Sequence, residues 1–320
     1  MNKFNIRYPN LIPVLLLAIT LHAPRLTAEP YNGFDVSNSS IPANEIHQGG
    51  PPRDGIPAID SPKFVPGNQA SNVQNVHRVL GLTLNGISKA YPISIMNWHE
   101  IVNDEFGDEK VVVTFCPLCD TGVAFSAQAG GKTLNFGVSG LLYNSDVLLY
   151  DRETESLWSQ LLVRAVSGPL RDAPLTLIAL EHTTWANWRK RHPDTLVLSS
   201  NTGYSRDYTR DPYAGYEDSH GIYFPVSHRD RRYHPKERVL GVEVDGIFKA
   251  YPFAELSLTN GIVQDKLNNK NFVIHYDKES HSARLTNADG ETLPAITAYW
   301  FAWIAFHPDT AVFKAPKGQE

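Results

Sequence analysis

The chain has 320 residues, with 29 Lys and Arg against 34 Asp and Glu, a formal net charge of −5, and only two cysteines. That balance offers no basic stripe for nucleic acid and no polybasic patch for anionic lipid. The cysteines lie close together in Cys116-Pro117-Leu118-Cys119, so they do not form a disulfide-stapled scaffold.

The chain opens with a short basic region, Lys3 and Arg7, followed by an apolar run from Leu11 to Leu21 that Pro13 interrupts. Leu26-Thr27-Ala28 then offers a signal-peptidase site. The run is too short to span a bilayer and has no stop-transfer flank, so residues 1–28 read as a cleavable secretory signal peptide. The protein is therefore expected in the periplasm or secreted, with no transmembrane span in the mature chain. Removing this segment takes away Lys3, Arg7 and Arg25 and no acid, leaving 26 basic and 34 acidic residues, a net charge of −8. Residues 29–71, rich in Pro, Gly and Asn, read as an irregular N-terminal arm.

The rest of the chain repeats itself. Arg78-Val79-Leu80-Gly81 recurs as Arg238-Val239-Leu240-Gly241, an offset of 160 residues. Lys89-Ala90-Tyr91-Pro92 recurs at the same offset as Lys249-Ala250-Tyr251-Pro252. Trp185-x-x-Trp188 with His192-Pro193-Asp194-Thr195 matches Trp300-x-x-Trp303 with His307-Pro308-Asp309-Thr310 at an offset of only 115, so the first copy holds an insertion. Asn85-Gly86 and Asp245-Gly246 mark two-residue hairpins at matching places, and Gly107-Asp108 marks another. Thr183 or Thr184 is placed to cap a short helix that stops before Pro193. The expected fold is a β-rich α+β architecture made of two diverged copies of a strand-hairpin-helix repeat. Copy one is assigned to residues 72–202, a linker to 203–236, and a degenerate copy two to 237–320.

Copy one carries the chemistry. With a tight turn at Gly107-Asp108, residues whose numbers sum to 215 face each other, which sets His99 opposite Cys116. Cys119 follows at the spacing that turns two sulfurs toward one centre. In copy two the aligned positions are Asn260, Asp277 and Ser280, so all three soft ligands are missing together. This pattern suggests an optional site on a scaffold that folds without it.

Three chemistries fit. One is a copper or zinc site with His99, Cys116 and Cys119 as ligands, for which Glu100, Asp120 and Asp151 are further candidates. Another is a thiol–disulfide redox couple, with Cys116 attacking and Cys119 resolving. The third is a non-catalytic binding protein with a local structural disulfide. A zinc ribbon would need a second cysteine pair, and haem attachment would need histidine where Asp120 stands. A thioredoxin-like pair wants a helix after it, whereas Thr121 to Phe125 reads as strand.

The inserted run from Ser139 to Gln160 is dense in Ser, Tyr, Asn, Asp and Trp, and reads either as a small-molecule pocket beside the cluster or as turns around a core Trp158. Ser139 has no acid–histidine partner at recognisable spacing, which argues against a serine hydrolase. His220, His228 and His234, flanked by Arg229, Arg231 and Arg232, read as a solvated loop, and Tyr204, Tyr208, Tyr213 and Tyr216 as packing for the linker. His77, His182, His275 and His281 read as structural.

Several of these motifs carry a resemblance. They are Gly55-Ile56-Pro57-Ala58-Ile59-Asp60, Trp98-His99-Glu100-Ile101-Val102-Asn103-Asp104, Cys116-Pro117-Leu118-Cys119, Ser139-Gly140-Leu141-Leu142-Tyr143-Asn144-Ser145 and the Asp151–Gln160 run. Over about residues 48 to 315 the chain resembles the prokaryotic domain of unknown function 3179 family. The resemblance implies no activity. Asp120 stands where that family's pattern leads one to expect glycine, which leaves room for a carboxylate ligand.

Overall fold

The computed structural model describes Met1 and residues 30–316. The expected signal peptide lies, apart from Met1, outside the described residues. Among those residues no helix is long and apolar enough to cross a membrane. The architecture is β-rich α+β: many short strands, and helices α1 (Ile93–His99), α2 (Trp185–Arg191), α3 (Phe253–Leu256) and α4 (Trp300–Phe306).

The hairpins form where the turn residues demand them. Asn85 and Gly86 both take positive φ (52° and 76°), as do Asp245 and Gly246 (50° and 81°). This is the backbone of a two-residue type I′ turn, whose twist matches the flanking strands. The first hairpin sets Val79 opposite Pro92 and Leu84 opposite Ile87. The second sets Val239 opposite Pro252 and Val244 opposite Ile247. In each, a glycine on the first strand makes room for a tryptophan. A Cβ on Gly81 would stand 2.3 Å from Trp188, and one on Gly241 would stand 2.1 Å from Trp303. Each indole then donates to a threonine seven residues on, Trp188 to Thr195 at 2.9 Å and Trp303 to Thr310 at 3.1 Å. Thr184 caps α2 by accepting from the Asn187 amide.

One sheet runs through both halves of the chain. Its order is Ala311–Val312, Ile247–Pro252, Arg238–Val244, Ile296–Tyr299, Thr121–Ser126, Glu109–Cys116 and Ile101–Phe106. The join is narrow: Thr297 pairs with Gly122, and the Tyr299 amide donates to the Cys119 carbonyl at 2.7 Å. The insertion builds a sheet of its own, Phe136–Tyr143, Asp146–Asp151, Leu157–Ser159 and Arg164–Ser167, edged by Ile46–Gln48. The N-terminal arm is therefore not wholly irregular. Ile46–Gln48 edges this sheet, and Phe64–Pro66 pairs with Leu196–Leu198. No helix or strand lies within 203–236.

The Ile101–Phe106 and Glu109–Cys116 strands pair with the expected register, Ile101 opposite Thr114 and Phe106 opposite Glu109. The register does not extend to His99. Pro92 starts a helix that buries Ile95, Met96 and His99, a helical spacing, and Glu100 ends it in the left-handed region (φ 58°). The chain enters the sheet only after that turn, so His99 leaves on the helix instead of facing Cys116.

Candidate metal centre

Cys116 closes its strand and Thr121 opens the next, opposite it in the sheet. The four residues between make a tight turn, with the Cys119 amide donating to the Cys116 carbonyl at 3.2 Å and Asp120 at φ 49°. The turn aims both sulfurs the same way, into the largest hydrophobic cluster of the protein, which also holds Trp158, Tyr216 and Trp300. Both are free cysteines, 1% and 0% exposed.

The third member of the group is Asp146. Its nearest carboxylate oxygen and the two sulfurs all lie within 4.8 Å of one another. Asp146 reaches this place because Asn144 and Ser145 form a tight turn (φ 50° and 66°) at the tip of the insertion's first hairpin. The Asn144 side chain ties that tip to two other segments, donating to the Ala305 carbonyl and accepting from the Ser227 amide. The Ser145 carbonyl accepts from the Cys119 thiol at 3.2 Å. Gln160 donates to Asp146 Oδ1 at 2.8 Å and accepts at its own oxygen from the Thr114 hydroxyl at 2.7 Å, fixing which oxygen of Asp146 is used.

The other oxygen has nothing. Among the described residues three buried side-chain polar atoms lack a hydrogen-bond partner: Asp146 Oδ2, the Ser145 hydroxyl and the Tyr216 hydroxyl. Buried polar groups are nearly always paired, so each orphan needs a reason. Ser145 and Asp146 adjoin the thiols, and the Tyr216 pKa is raised by burial first and then by its nearness to Cys119 and Cys116. Asp146 Oδ2 and the adjoining Ser145 hydroxyl thus lie beside the thiols, and Tyr216 belongs to the same cluster.

Burial sets the electrostatics. It pushes the Cys116 thiol up and Cys119 further, so neither is a ready thiolate. Burial raises the Asp146 carboxyl to about 7. Burial, with the Asp146 charge beside it, raises Glu100 to about 8. Glu100 shares with Cys116 and Pro117 the wall of a cavity of about 150 Å³, roofed by Tyr213, Tyr223 and Phe224 of the linker.

The other expected ligands lie elsewhere. His99 is buried, but its Nδ1 meets the Pro57 carbonyl at 2.7 Å and its Nε2 the Tyr208 hydroxyl at 2.6 Å, so both ring nitrogens are committed. It is not part of the thiol group. Asp120 turns away to Arg78 and Arg238, whose cations hold its carboxyl well below the usual range against the opposing effect of burial. Asp151 accepts from the Thr154 amide and hydroxyl and the Trp158 indole, closing the 151–156 turn. The Ser139 hydroxyl is likewise taken, donating to Leu148 and accepting from the Leu141 amide. In the linker, Tyr208 holds His99, and Tyr213 and Tyr216 cover the cysteines.

None of the curated proteins and none of the solved structures matches the chain. A family model described as "Protein of unknown function (DUF3179)" matches residues 53–291, most of the sequence. Built around this buried Cys-Cys-Asp group, the chain belongs to the DUF3179 family.

Proposed function

We propose that this is an exported metalloprotein that holds one transition-metal ion at Cys116, Cys119 and Asp146. The carrying observation is the convergence of two thiols and a carboxylate at one buried point, with one carboxylate oxygen partnerless. Such an arrangement costs stability as it stands, since each orphan forgoes about 1–3 kcal/mol. A cation there deprotonates the thiols, takes up Asp146 Oδ2 and removes the cost of that orphan. Two thiolates with a carboxylate suit zinc; copper(I) favours thiolate ligands alone. Glu100, whose pKa the Asp146 charge raises, is a further carboxyl in the same neighbourhood. Full burial and raised thiol pKa values speak against a redox nucleophile, which is exposed and low in pKa.

The two-copy reading of the scaffold is part of this proposal. In its support, the Phe115 amide donates to the Glu100 carbonyl and the Tyr276 amide to the Gly261 carbonyl, both at 2.7 Å. That correspondence carries Cys116 onto Asp277 and Cys119 onto Ser280. There the Ser280 amide and hydroxyl both donate to Asp277 at 2.7 Å, so copy two closes the same turn without sulfur. Export rests on the leader at residues 1–28.

Elemental analysis of the mature protein, purified without chelators, tests the site. One equivalent of zinc or copper is expected, absent from a Cys116→Ser, Cys119→Ser double variant and weakly held in Asp146→Asn. No metal in the native protein, and none taken up after reduction, would overturn the reading and leave a local disulfide as the state to examine.

A further inference from the structure

Glu100 has two costs that its place in the fold does not explain. Its backbone is left-handed (φ 58°), where the corresponding position in the second half is Gly261 (φ 90°). A non-glycine residue is strained there by on the order of 1 kcal/mol. Its side chain is also buried, with the residue 6% exposed, and the influences on its carboxyl are burial and the Asp146 charge, with no hydrogen bond among them. Glycine would serve the turn better, so the carboxyl is there for something that enters.

What it faces is the cavity of about 150 Å³. The remaining wall is mostly apolar, including Ile56, Leu118, Val138, Leu142 and Phe224. No cation lines it. An apolar cavity of about that volume holds a benzene-sized molecule.

We infer that the cavity is a ligand site for a neutral, single-ring-sized molecule whose one polar end is a hydrogen-bond donor such as a hydroxyl, anchored on the Glu100 carboxyl. Apolar walls take the body of the molecule. A carboxyl accepts from the donor in either protonation state. Anions are disfavoured, because the wall is mostly apolar and offers no cation to offset the loss of their hydration. Cys116 shares the wall, so a ligand seated here lies beside the sulfurs. The inference goes beyond the metal reading and does not require it.

Phenol, toluene and benzoate are the probes, titrated into chelator-treated and zinc-supplemented protein by ligand-observed NMR and calorimetry, with metal content measured separately. Saturable phenol binding is expected, about tenfold tighter than toluene, the worth of one hydrogen bond, with no binding of benzoate. Glu100→Leu should bring phenol and toluene level. Ile56→Trp, at a half-buried position on the wall, should abolish binding of both. No saturable phenol binding, equal affinity for phenol and toluene in the native protein, or binding of benzoate would each overturn the inference. The ligand series on the native protein stands even if a variant fails to fold. Metal content reports on the metal site alone, so either reading can fail without the other.

Discussion

Arg78 and Arg238, 160 residues apart and each the first residue of its strand, close on one carboxylate, Asp120. Arg78 holds both oxygens, at 2.8 and 2.9 Å, and Arg238 Nε holds Oδ2 at 2.6 Å. Asp120 follows Cys119 directly, so the turn that presents the sulfurs is pinned to both halves of the chain at once. Asp120→Asn keeps the side-chain shape and the tolerance for left-handed backbone, yet removes the charge from between two cations. Breaking a buried ion pair from one side costs about 3–5 kcal/mol, and the partial exposure of Arg78 places the expected loss at the lower end. Urea denaturation measures it; an unchanged midpoint would show the clamp to be idle.

Beside that clamp, burial lowers His182 to about 4, and burial alone does the same to His307. Both are neutral in the folded protein where the unfolded chain, with an ordinary histidine pKa of about 6.5, already binds a proton. Between about pH 6.5 and 4 the unfolded state therefore holds more protons, and each histidine makes stability fall as pH falls. Asp120, with its pKa depressed, adds a further loss as pH drops below the usual carboxylate range. His307→Gln should flatten the native slope between pH 6.5 and 4 by nearly one proton. Equal slopes for the two proteins would contradict the assignment.

Glu100 works in the opposite direction. Its folded pKa of about 8 lies above the ordinary 4.5, so the metal-free folded protein holds a proton that the unfolded chain has lost. Native stability then falls as pH rises from about 4.5 to about 8. Glu100→Gln mimics the protonated form and should match the native protein near pH 4.5. By pH 8 it should exceed it by a few kcal/mol, at about 1.4 kcal/mol per unit. Glu100→Gly, which also lacks the titrating carboxyl, should exceed the Gln variant by roughly 1 kcal/mol at either pH by relieving the left-handed backbone. Denaturation of chelator-treated protein at both pH values tests the pair, and a constant difference between native and Gln variant would refute the titration.

The outcome at this site shows what the sequence discloses and what it hides. Turn dipeptides and strand alternation are local, so the Asn85-Gly86 and Asp245-Gly246 hairpins and the 101–116 register were legible. The close Cys116–Cys119 spacing was legible for the same reason. His99 was misplaced because a seven-residue helix between two strands gives less than two turns of periodicity, and its start signal, Pro92, also ends a strand. Asp146 was visible only as one polar residue in a polar run. Its role depends on a hairpin folding back from another sheet, a long-range contact that no spacing encodes. Two local features do point to it: Asn144-Ser145 as turn formers and the strand pattern on either side.

Gln160 is the positioning residue for that carboxylate. It donates to Asp146 Oδ1 and is itself oriented by the Thr114 hydroxyl, which also donates to the Val123 carbonyl. With Oδ1 occupied, Oδ2 is the oxygen left for a cation. Residues that orient a metal ligand without touching the ion typically change affinity by 10–100-fold. Gln160→Met, similar in length and unable to donate, should keep one equivalent of metal at saturation but weaken binding by about that factor. It also frees Asp146 to rotate, so a cobalt-substituted sample should lose the single, well-defined visible spectrum expected of the native protein. A Gln160→Glu variant supplies a control. Its carboxylate still accepts from Thr114 but cannot donate to Asp146 while ionised, so Oδ1 loses its partner in this variant too. If competition with a chelator gives the same metal affinity for the native protein and the Met variant, Asp146 is held by the hairpin alone, and Gln160 serves only to satisfy a buried oxygen.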